Sequence, residues 1–459
     1  MSDFPPTLFA GERFAVVGLG RAGLAAARRL AAMGAAIRVW DDRAEARAAA
    51  GLPLLDPAAR LAADALILSP GIPHALPAPH PLALRAQAEG VPILTDAEML
   101  FRAVLRSGAR IRFAGITGTN GKSTTTALLA HILAEAGIPA AAGGNLGRAA
   151  IDLPKLPDGG VYVLEMSSYM LERIATLRFD VAAMLNLTPD HLDRHGDMAG
   201  YAAAKRAIFA RQGQGDCAVV AIDDAHGRAL ADAMAGGPTR LVRVSGQAGA
   251  AAWTAEAGFL CRDGARIADL AAAPALPGAH NAQNAAAAAA MAAFLGAGEA
   301  AIARGIASYP GLPHRQQRVA QIGAIAFIND SKATNADAAA PALSCYDRVI
   351  WIAGGVAKAG GIASLAPFFP RIAEAFLIGR DGPDFAAPLA AAGVAHRIVP
   401  TLEEAVPAAF EAAVRQGAEV VLLSPAAASF DQFTGFEARG ERFAALAGAL
   451  AAASAAGGV

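Results

Sequence analysis

The sequence predicts an α/β protein of three domains, each built on a mostly parallel sheet. From Phe14 onward, short apolar runs typical of strands alternate with amphipathic helical stretches, a pattern that favours parallel sheets covered by helices. A length of 459 residues accommodates three domains, at roughly 150 residues each. The segment YPGLP at 309–313 is typical of a linker. We expect Rossmann-like first and third domains and a central domain of the P-loop ATPase type, with limits at 1–106, 107–311 and 312–459.

The predicted elements form three successive cycles of strand and helix. The helices of the first two cycles are expected at 21–33 and from about 123 to 133. Two alanine-rich stretches, 285–298 and the region from 443, are too short or too weakly apolar for a membrane span, which needs ~20 apolar residues, and are predicted as helices. Strands are expected at 14–18, 37–40, 65–71, 110–115, 161–165, 181–187, 217–222, 324–330, 348–355, 374–379 and 419–425.

Charge and cysteine content narrow the class of function. The net charge is −1, with 39 basic and 40 acidic residues and no block of like charges, so a nucleic-acid or anionic-membrane surface is not expected. Cys217, Cys261 and Cys345 are isolated, which fits a reducing compartment. The N-terminus lacks the features of a secretory signal. We expect a monomeric, cytoplasmic protein that acts on small molecules, without membrane insertion.

The segment TGTNGKST at 117–124 is the strongest signal in the chain, because it stands where a strand should turn into a helix. Backbone N–H groups of such a loop bind phosphate oxygens, the lysine reaches the terminal phosphates and the serine hydroxyl binds Mg²⁺. Gly118 precedes Gly121 by only three residues, so the spacing departs from the usual pattern. A purely structural glycine turn is the alternative. The candidate nucleotide-binding residues are Gly118, Thr119, Asn120, Gly121, Lys122, Ser123 and Thr124.

Two further post-strand loops carry candidate site residues. Glu165 ends the strand VYVLE, where a carboxylate could hold Mg²⁺ near the phosphates. His191 lies in the polar segment NLTPDHLDRH, in which Asp193, Arg194 and His195 could be surface turn residues only. Lys205 falls on a predicted helix, and its spacing alone indicates an ordinary solvated lysine.

The first and last domains supply weaker signals. Gly18 to Gly23 follow a strand and could bind a diphosphate, with Asp41 accepting a hydrogen bond from a ribose hydroxyl or a uracil N–H. A dinucleotide site and a nucleotide-sugar site remain equally compatible with this turn. In the third domain, Arg315 follows the linker and has the fork of donors that suits a migrating phosphoryl group. Lys358 lies in a glycine-rich loop.

The chain resembles the Mur ligases, and within them the branch that adds D-glutamate to UDP-N-acetylmuramoyl-L-alanine. The N-terminal GLGRAG and the C-terminal SPAAASFDQFTGFEARG separate this branch from its relatives. The resemblance covers nearly the whole chain. The motifs that carry it in order are TGTNGKSTT, LEMSSY, NLTPDHLDRH, YAAAK, GAHNAQN, GLPHR, NDSKATN and SPAAASFDQFTGFEARG.

The resemblance implies an ATP-dependent ligase of peptidoglycan precursor synthesis. ATP would phosphorylate the alanine carboxylate, and the amine of D-glutamate would attack the acyl phosphate. Two Mg²⁺ ions are implied, the first held by Ser123 and Glu165, the second held or oriented by His191 and a carbamylated Lys205. The implied catalytic residues are Lys122, His191, Lys205, Arg315 and Lys332. Asn281 and Asn284 would face adenine, Asp330 the ribose, and Arg315 and Lys332 the phosphates. Gly20, Arg21, Ala22, Gly23, Asp41, Arg43, Ser69, Gly71 and Asn145 would bind the UDP-sugar, and Thr334, Lys358, Ser429 and the Phe436 backbone the D-glutamate.

Two departures from the family pattern and three alternatives accompany this interpretation. Met170 stands where the family often has glutamine, and the loop GGVAKAGG lacks the acidic residue often found after its lysine. A related ligase using L-glutamate would present the same charges. A nicotinamide dehydrogenase would leave the phosphate loop unexplained, and a non-catalytic nucleotide switch would bind ATP without turnover.

Overall fold

The structure, a computed structural model, describes residues 4–358 and 360–456. It divides into two compact units, the first comprising Met1–Pro274 and Ala279–Tyr309 and the second Ala275–Gly278 and Pro310–Val459. The first unit contains two sheets and the second unit one. All three sheets are mostly parallel, as the alternation of strands and helices predicts.

The first sheet has four parallel strands in the order β2-β1-β3-β4. Apart from Arg13 at the start of β1, its central strands are buried, because the side chains of Val16, Ala65 and Leu66 pack against helices on the two faces. The elements are β1 (Arg13–Val17), α1 (Arg21–Ala32), β2 (Ala36–Trp40), α2 (Ala44–Ala50), β3 (Ala65–Leu68), α3 (Pro81–Ala88), β4 (Ile93–Leu94) and α4 (Asp96–Ser107).

The second sheet has nine strands in the order β13-β12-β11-β10-β9-β8-β5-β7-β6. Strands β5 to β11 pair in parallel, and β11 to β13 form an antiparallel edge that the sequence analysis does not anticipate. The strands are β5 (Arg112–Thr117), β6 (Ala140–Gly144), β7 (Val161–Glu165), β8 (Val181–Met184), β9 (Cys217–Ala221), β10 (Arg240–Val244), β11 (Trp253–Glu256), β12 (Phe259–Arg262) and β13 (Ala265–Asp269). The helices are α5 (Lys122–Glu135), α6 (Ser168–Leu171), α7 (Leu192–His195), α8 (Met198–Arg206), α9 (Ala225–Met234), α10 (Ala279–Phe294) and α11 (Glu299–Ser308), with 3₁₀ turns at Ala150–Asp152 and Ala207–Phe209.

The third sheet has six strands in the order β14-β15-β19-β16-β17-β18, all parallel except the β14–β15 hairpin. Its centre is apolar, with Trp351 fully buried on β16. The elements are β14 (Gln317–Ile322), β15 (Ile325–Asn329), α12 (Ala336–Ser344), β16 (Val349–Gly354), a 3₁₀ segment (Ala363–Arg371), β17 (Ile372–Ile378), α13 (Gly382–Ala391), β18 (His396–Ile398), α14 (Leu402–Gln416), β19 (Val420–Leu423) and α15 (Phe436–Ala456).

The strand that leads into the phosphate loop lies two residues later than predicted. Arg110 precedes the strand, and its backbone N–H and its guanidinium both donate to Asp158. At the other end, the strand extends to Thr117, because β5 pairs with β7 as far as Ile116 and with β8 as far as Thr117. Helix α5 begins directly after the loop, and Gly137 follows its end with a positive φ of 71°.

The two alanine-rich stretches are helices, as predicted: one belongs to α10 and the other to α15. No helix among the described residues combines the length and apolarity that crossing a membrane requires. The three cysteines are free thiols.

Candidate active site

The phosphate loop connects the carboxyl end of β5 to the first turn of α5. Gly121 precedes that helix with φ of 83°, a conformation that favours glycine. A Cβ at this position would overlap the side-chain oxygen of Asn284. Asn284 in turn donates to the Asn281 oxygen at 3.1 Å. The two asparagines expected to face adenine therefore lie together, directly against the loop.

The two candidate catalytic lysines meet at one atom of this loop. The carbonyl oxygen of Gly118 accepts hydrogen bonds from Lys122 Nζ at 2.9 Å and from Lys205 Nζ at 2.7 Å. Lys205 is only 2% exposed, so the interpretation of its spacing as that of a solvated lysine is wrong. Burial, reinforced by the Lys122 charge, lowers the pKa of Lys205 to about 6. A neutral amine, which is the form that reacts with CO₂, is therefore the main species of Lys205 at neutral pH.

Glu165 ends β7 beside this loop and fits a hard cation. Its Oε1 accepts from Asn145 Nδ2 at 2.6 Å, whereas Oε2 is buried without a hydrogen-bond donor among the described residues. A buried carboxylate oxygen left this way is costly unless a cation binds it. Across 4–358 and 360–456, no three His, Cys, Asp or Glu side chains are grouped so as to hold a metal alone. Mg²⁺ commonly binds through one or two carboxylates plus phosphate oxygens and water, so the single carboxylate is compatible with it.

The loop that carries His191 is bound to the phosphate loop. Thr188 N–H donates to Thr119 Oγ1 at 3.0 Å, and Asn120 N–H donates to Asn186 Oδ1 at 2.8 Å. His191 itself has φ of 53°, which is uncommon outside glycine and occurs preferentially at functional sites. Its Nε2 lies 3.3 Å from Asp190 Oδ2, and its ring remains about half exposed. The imidazole is thus accessible to a ligand.

The residues that follow His191 do not behave as surface turn residues. The side chains of Arg194 and His195 are 4% and 1% exposed, so that alternative is wrong for both. His195 Nδ1 lies 3.0 Å from Glu172 Oε1, and its Nε2 lies 2.9 Å from Ser168 Oγ. Only Asp193 is exposed as that alternative expects.

The first sheet presents a second concave site at the carboxyl ends of β1, β2 and β3. Gly18 has φ of 86°, and its carbonyl oxygen accepts from Ser69 Oγ at 2.7 Å. Asp41 accepts from the backbone N–H groups of Leu19 and Arg43. Burial raises the pKa of Asp41, but these hydrogen bonds, together with that of the Arg43 guanidinium and its charge, outweigh burial and hold the pKa below its usual value. A cavity of about 340 Å³ is lined by Val17, Gly18, Gly20, Asp41, Asp42, Arg43, Ser69, Ile72 and His80.

The remaining candidates of this site surround the same turn. Gly20 precedes α1, and Arg21, Ala22 and Gly23 form its first turn, where backbone N–H groups are available to an anion. A Cβ at Gly23 would overlap the Gly18 carbonyl oxygen, so glycine is required for the close approach of helix and strand. Gly71 follows β3 in the same loop as Ser69.

In the second unit, the candidate residues gather around the carboxyl ends of β15, β16 and β19. Asp330 accepts from Ser424 Oγ at 2.7 Å and from Gln316 N–H at 3.2 Å, and burial raises its pKa to about 7. Lys332 Nζ lies 5.2 Å from the ring centroid of Phe436, whose carbonyl accepts from Ser331 Oγ. Lys332 and Phe436 therefore lie together, and Phe436 is hydrogen-bonded to Ser331, the residue that follows Asp330.

The other candidates of the second unit differ in exposure. Arg315 is half-buried on the segment before β14, Thr334 is half-buried next to Lys332, and Ser429 is buried. Lys358 is exposed in its loop. Because it is exposed, the ammonium group of Lys358 can contact an incoming small molecule.

Sequence reasoning missed three buried charged residues that hold these loops. Arg439, 1% exposed on α15, donates to Ser331 and to the carbonyl oxygens of Gly354 and Ala427. In the first unit, Arg173 donates to the carbonyl oxygens of Leu68, Ser69 and Ile72. Glu98 accepts from the backbone N–H groups of 175, 176 and 177. Arg439 lies in the motif FEARG, the one available sequence signal, whereas nothing in the pattern distinguishes Arg173 or Glu98.

Comparison with known proteins identifies the family. Family models match three stretches: Mur ligase MurD-like, N-terminal domain, at 12–95; Mur ligase middle domain at 116–292; and Mur ligase, glutamate ligase domain, at 314–427. The UDP-N-acetylmuramoylalanine–D-glutamate ligase of Paramagnetospirillum magneticum is 50% identical over 96% of this chain and 97% of its own length. The enzyme of the same name from Cereibacter sphaeroides strain ATCC 17029 is 47% identical, over 94% and 97%.

Solved structures agree on the fold. The UDP-N-acetylmuramate-alanine ligase of Thermotoga maritima matches with a TM-score of 0.59 and 19% identity, covering 96% of this chain and all of that one. A UDP-N-acetylmuramoyl-L-alanyl-D-glutamate–2,6-diaminopimelate ligase matches with a TM-score of 0.54 and 20% identity, covering 92% and 88%. With three matched domains and near-full-length relatives at about half identity, this chain belongs to the Mur ligase family.

Proposed function

We propose that this protein is an ATP-dependent amide-bond-forming ligase that adds D-glutamate to UDP-N-acetylmuramoyl-L-alanine in peptidoglycan precursor synthesis. The observation that carries the proposal is the meeting of Lys122 and Lys205 at the Gly118 carbonyl, with the unsatisfied oxygen of Glu165 on the neighbouring strand. This arrangement supplies the Lys122 cation and a metal-binding carboxylate. It therefore suits a reaction catalysed by positioning and charge neutralisation.

The reaction proceeds in two steps. The alanine carboxylate attacks the terminal phosphorus of ATP, the bond to the bridging oxygen breaks and ADP leaves. The amine of D-glutamate then attacks the acyl carbon, phosphate leaves, and the amine loses its proton. Lys122 neutralises the terminal phosphates, Arg315 and Lys332 stabilise the transferred phosphoryl group, and backbone N–H groups of the loop orient the nucleotide.

We assign two Mg²⁺ ions, one at Ser123 and Glu165 and one at His191 and carbamylated Lys205. Bound Mg²⁺ would neutralise charge that develops on the phosphate oxygens. The carbamate forms when the neutral Lys205 amine attacks CO₂ and releases one proton. The low pKa and the burial of Lys205 support this modification, because an ordinary lysine, with a pKa of about 10.4, is almost entirely protonated at neutral pH.

We assign the remaining contacts by site. The turn of Gly20, Arg21, Ala22 and Gly23, together with Asp41, Arg43, Ser69 and Gly71, binds the UDP-sugar. Asn281, Asn284 and Asp330 bind adenosine, and Thr334, Lys358, Ser429 and the Phe436 backbone bind D-glutamate. Asn145 is assigned to the sugar or diphosphate, and its hydrogen bond to Glu165 gives it a part in holding that carboxylate.

We further propose the functional limits 1–106 for UDP-sugar binding, 107–311 for ATP and 312–459 for the amino acid. The reaction joins a nucleotide-sugar, ATP and an amino acid, which are metabolites of the cytoplasm, and we propose that the enzyme acts there as a monomer. Size-exclusion chromatography with light scattering measures the last point, and a stable dimer would contradict it.

ADP release is the decisive assay. The protein is incubated with ATP, Mg²⁺, UDP-N-acetylmuramoyl-L-alanine and one amino acid at a time. We expect turnover only with D-glutamate, and turnover with the L form instead would favour the alternative ligase. Lys122→Ala should abolish turnover, whereas Lys155→Ala, which changes a lysine beside the Phe4 ring, should not. Undiminished turnover of Lys122→Ala would reject the phosphate-loop assignment.

A further inference from the structure

His74 forms the centre of a charged cluster that the proposed mechanism does not use. Its Nδ1 lies 3.2 Å from Arg173 Nε and 3.2 Å from Arg194 Nη2. A guanidinium only donates hydrogen bonds, so Nδ1 is the acceptor of both and the ring proton resides on Nε2. Glu172 also faces the ring, with Oε2 3.8 Å from Nδ1. His74 is therefore a neutral acceptor shared by two arginines.

Through these arginines the cluster joins two separate loops. Arg173 holds the loop after β3, because it donates to the carbonyl oxygens of Leu68, Ser69 and Ile72. Arg194 belongs to α7, the turn that follows His191, and lies 3.4 Å from Glu172. His74 thus links the proposed nucleotide-sugar loop to the loop that carries the proposed metal ligand.

Arg194 reaches His191 by two routes. Its backbone N–H donates to the His191 carbonyl at 3.0 Å. Its guanidinium lies 5.0 Å from the ring centroid of Tyr169, and that ring packs 5.0 Å from the imidazole of His191. Because the Arg194 side chain is almost fully buried and its guanidinium lies over the Tyr169 ring, a shift of the guanidinium would change the packing of that ring.

We propose that His74 is a positioning residue that couples nucleotide-sugar binding to metal binding at His191, through Arg194 and Tyr169. The proposal rests on the proposed function for the identity of both sites. A nucleotide-sugar that binds the loop after β3 holds the His74 ring in place. His74 then holds the Arg194 guanidinium, and Arg194 holds the ring of His191 through Tyr169. By linkage, the metal strengthens nucleotide-sugar binding by the same factor.

Two substitutions of His74 separate its acceptor from its bulk. In His74→Asn the side-chain oxygen takes the place of Nδ1 and accepts from both arginines. In His74→Leu the volume is similar but the acceptor is lost. His396→Leu, on the edge strand of the second unit, is the matched control for a histidine-to-leucine change.

The measurement is Mn²⁺ affinity, from the electron paramagnetic resonance signal of free Mn²⁺, with and without saturating UDP-N-acetylmuramoyl-L-alanine. Metal bound by the substrate alone is subtracted. We expect the substrate to tighten Mn²⁺ binding by about 5-fold or more in the wild type, His74→Asn and His396→Leu. In His74→Leu the Mn²⁺ affinity measured with the substrate should equal the Mn²⁺ affinity measured without it. Urea denaturation confirms that each variant is folded.

Three results would overturn the coupling. The first is a wild-type Mn²⁺ affinity that ignores the substrate, and the second is loss of the effect in His74→Asn as in His74→Leu. The third is a His74→Leu protein that binds the UDP-substrate more weakly but keeps the full Mn²⁺ effect at saturation, since His74 would then hold only its own loop. Ligase turnover is measured on the same wild-type samples. Turnover without coupling rejects this inference alone, whereas absence of turnover rejects the proposed function and this inference with it.

Discussion

Replacement of Gly121 by alanine tests the nucleotide site at a single atom. Alanine in the left-handed conformation that Gly121 adopts costs about 1–2 kcal/mol. The new Cβ would also displace Asn284, whose hydrogen bond to Asn281 contributes about 0.5–1.5 kcal/mol. The sum, about 1.5–3.5 kcal/mol, corresponds to roughly a 10- to 300-fold loss in kcat/KM for ATP if the strain is relieved by moving the loop.

Gly137, at the other end of the same helix, provides the matched control. It also has a positive φ, of 71°, but a Cβ there would meet open space. Gly137→Ala should therefore lower the free energy of unfolding by about 1–2 kcal/mol and leave kcat/KM for ATP unchanged. The assays are ADP release against ATP concentration and urea denaturation. Equal kcat/KM values for ATP in the two variants would refute the placement of Gly121 and Asn284 at the nucleotide.

Three other substitutions address the remaining assignments. Lys205→Ala should be nearly inactive, and added short carboxylates should restore part of its activity. Arg206→Ala, on the same helix, is the control and should stay active. Full activity of Lys205→Ala would contradict the assignment of a carbamate. Lys358→Ala should raise KM for D-glutamate by roughly 10- to 150-fold, through loss of a charge-assisted contact of ~1.5–3 kcal/mol, and leave KM for the UDP-sugar nearly unchanged; the reverse pattern would move the amino-acid site elsewhere. Burial raises the pKa of Asp330 to about 7, so between pH of about 4 and about 7 the folded protein keeps a proton that the unfolded chain has released. The contribution of Asp330 to the free energy of unfolding therefore falls as pH rises over that interval. The melting temperature of Asp330→Asn relative to wild type should increase over that interval, and a constant difference would show that Asp330 ionises normally.

The fold and the phosphate loop could be predicted because their signals are local. Apolar runs and amphipathic helices are read within a few residues, and the glycines, Lys122 and Ser123 stand together between β5 and α5. The antiparallel edge β11–β13 escaped prediction, because its strands have only four or five residues and partly exposed faces. Short strands of that kind lack the continuous apolar pattern of a buried parallel sheet.

By itself, the sequence determined the α/β class with mostly parallel sheets, the position of the phosphate loop and the motifs that indicate the family. Only the tertiary structure decided which charged side chains are buried and what they bind. Lys205 resembles a surface lysine on its helix, and its burial depends on Gly118, 87 positions away in the chain. Arg173 and His74 are 99 positions apart. A charged residue carries no local mark of burial, because its environment is set by segments that meet only when the chain has folded.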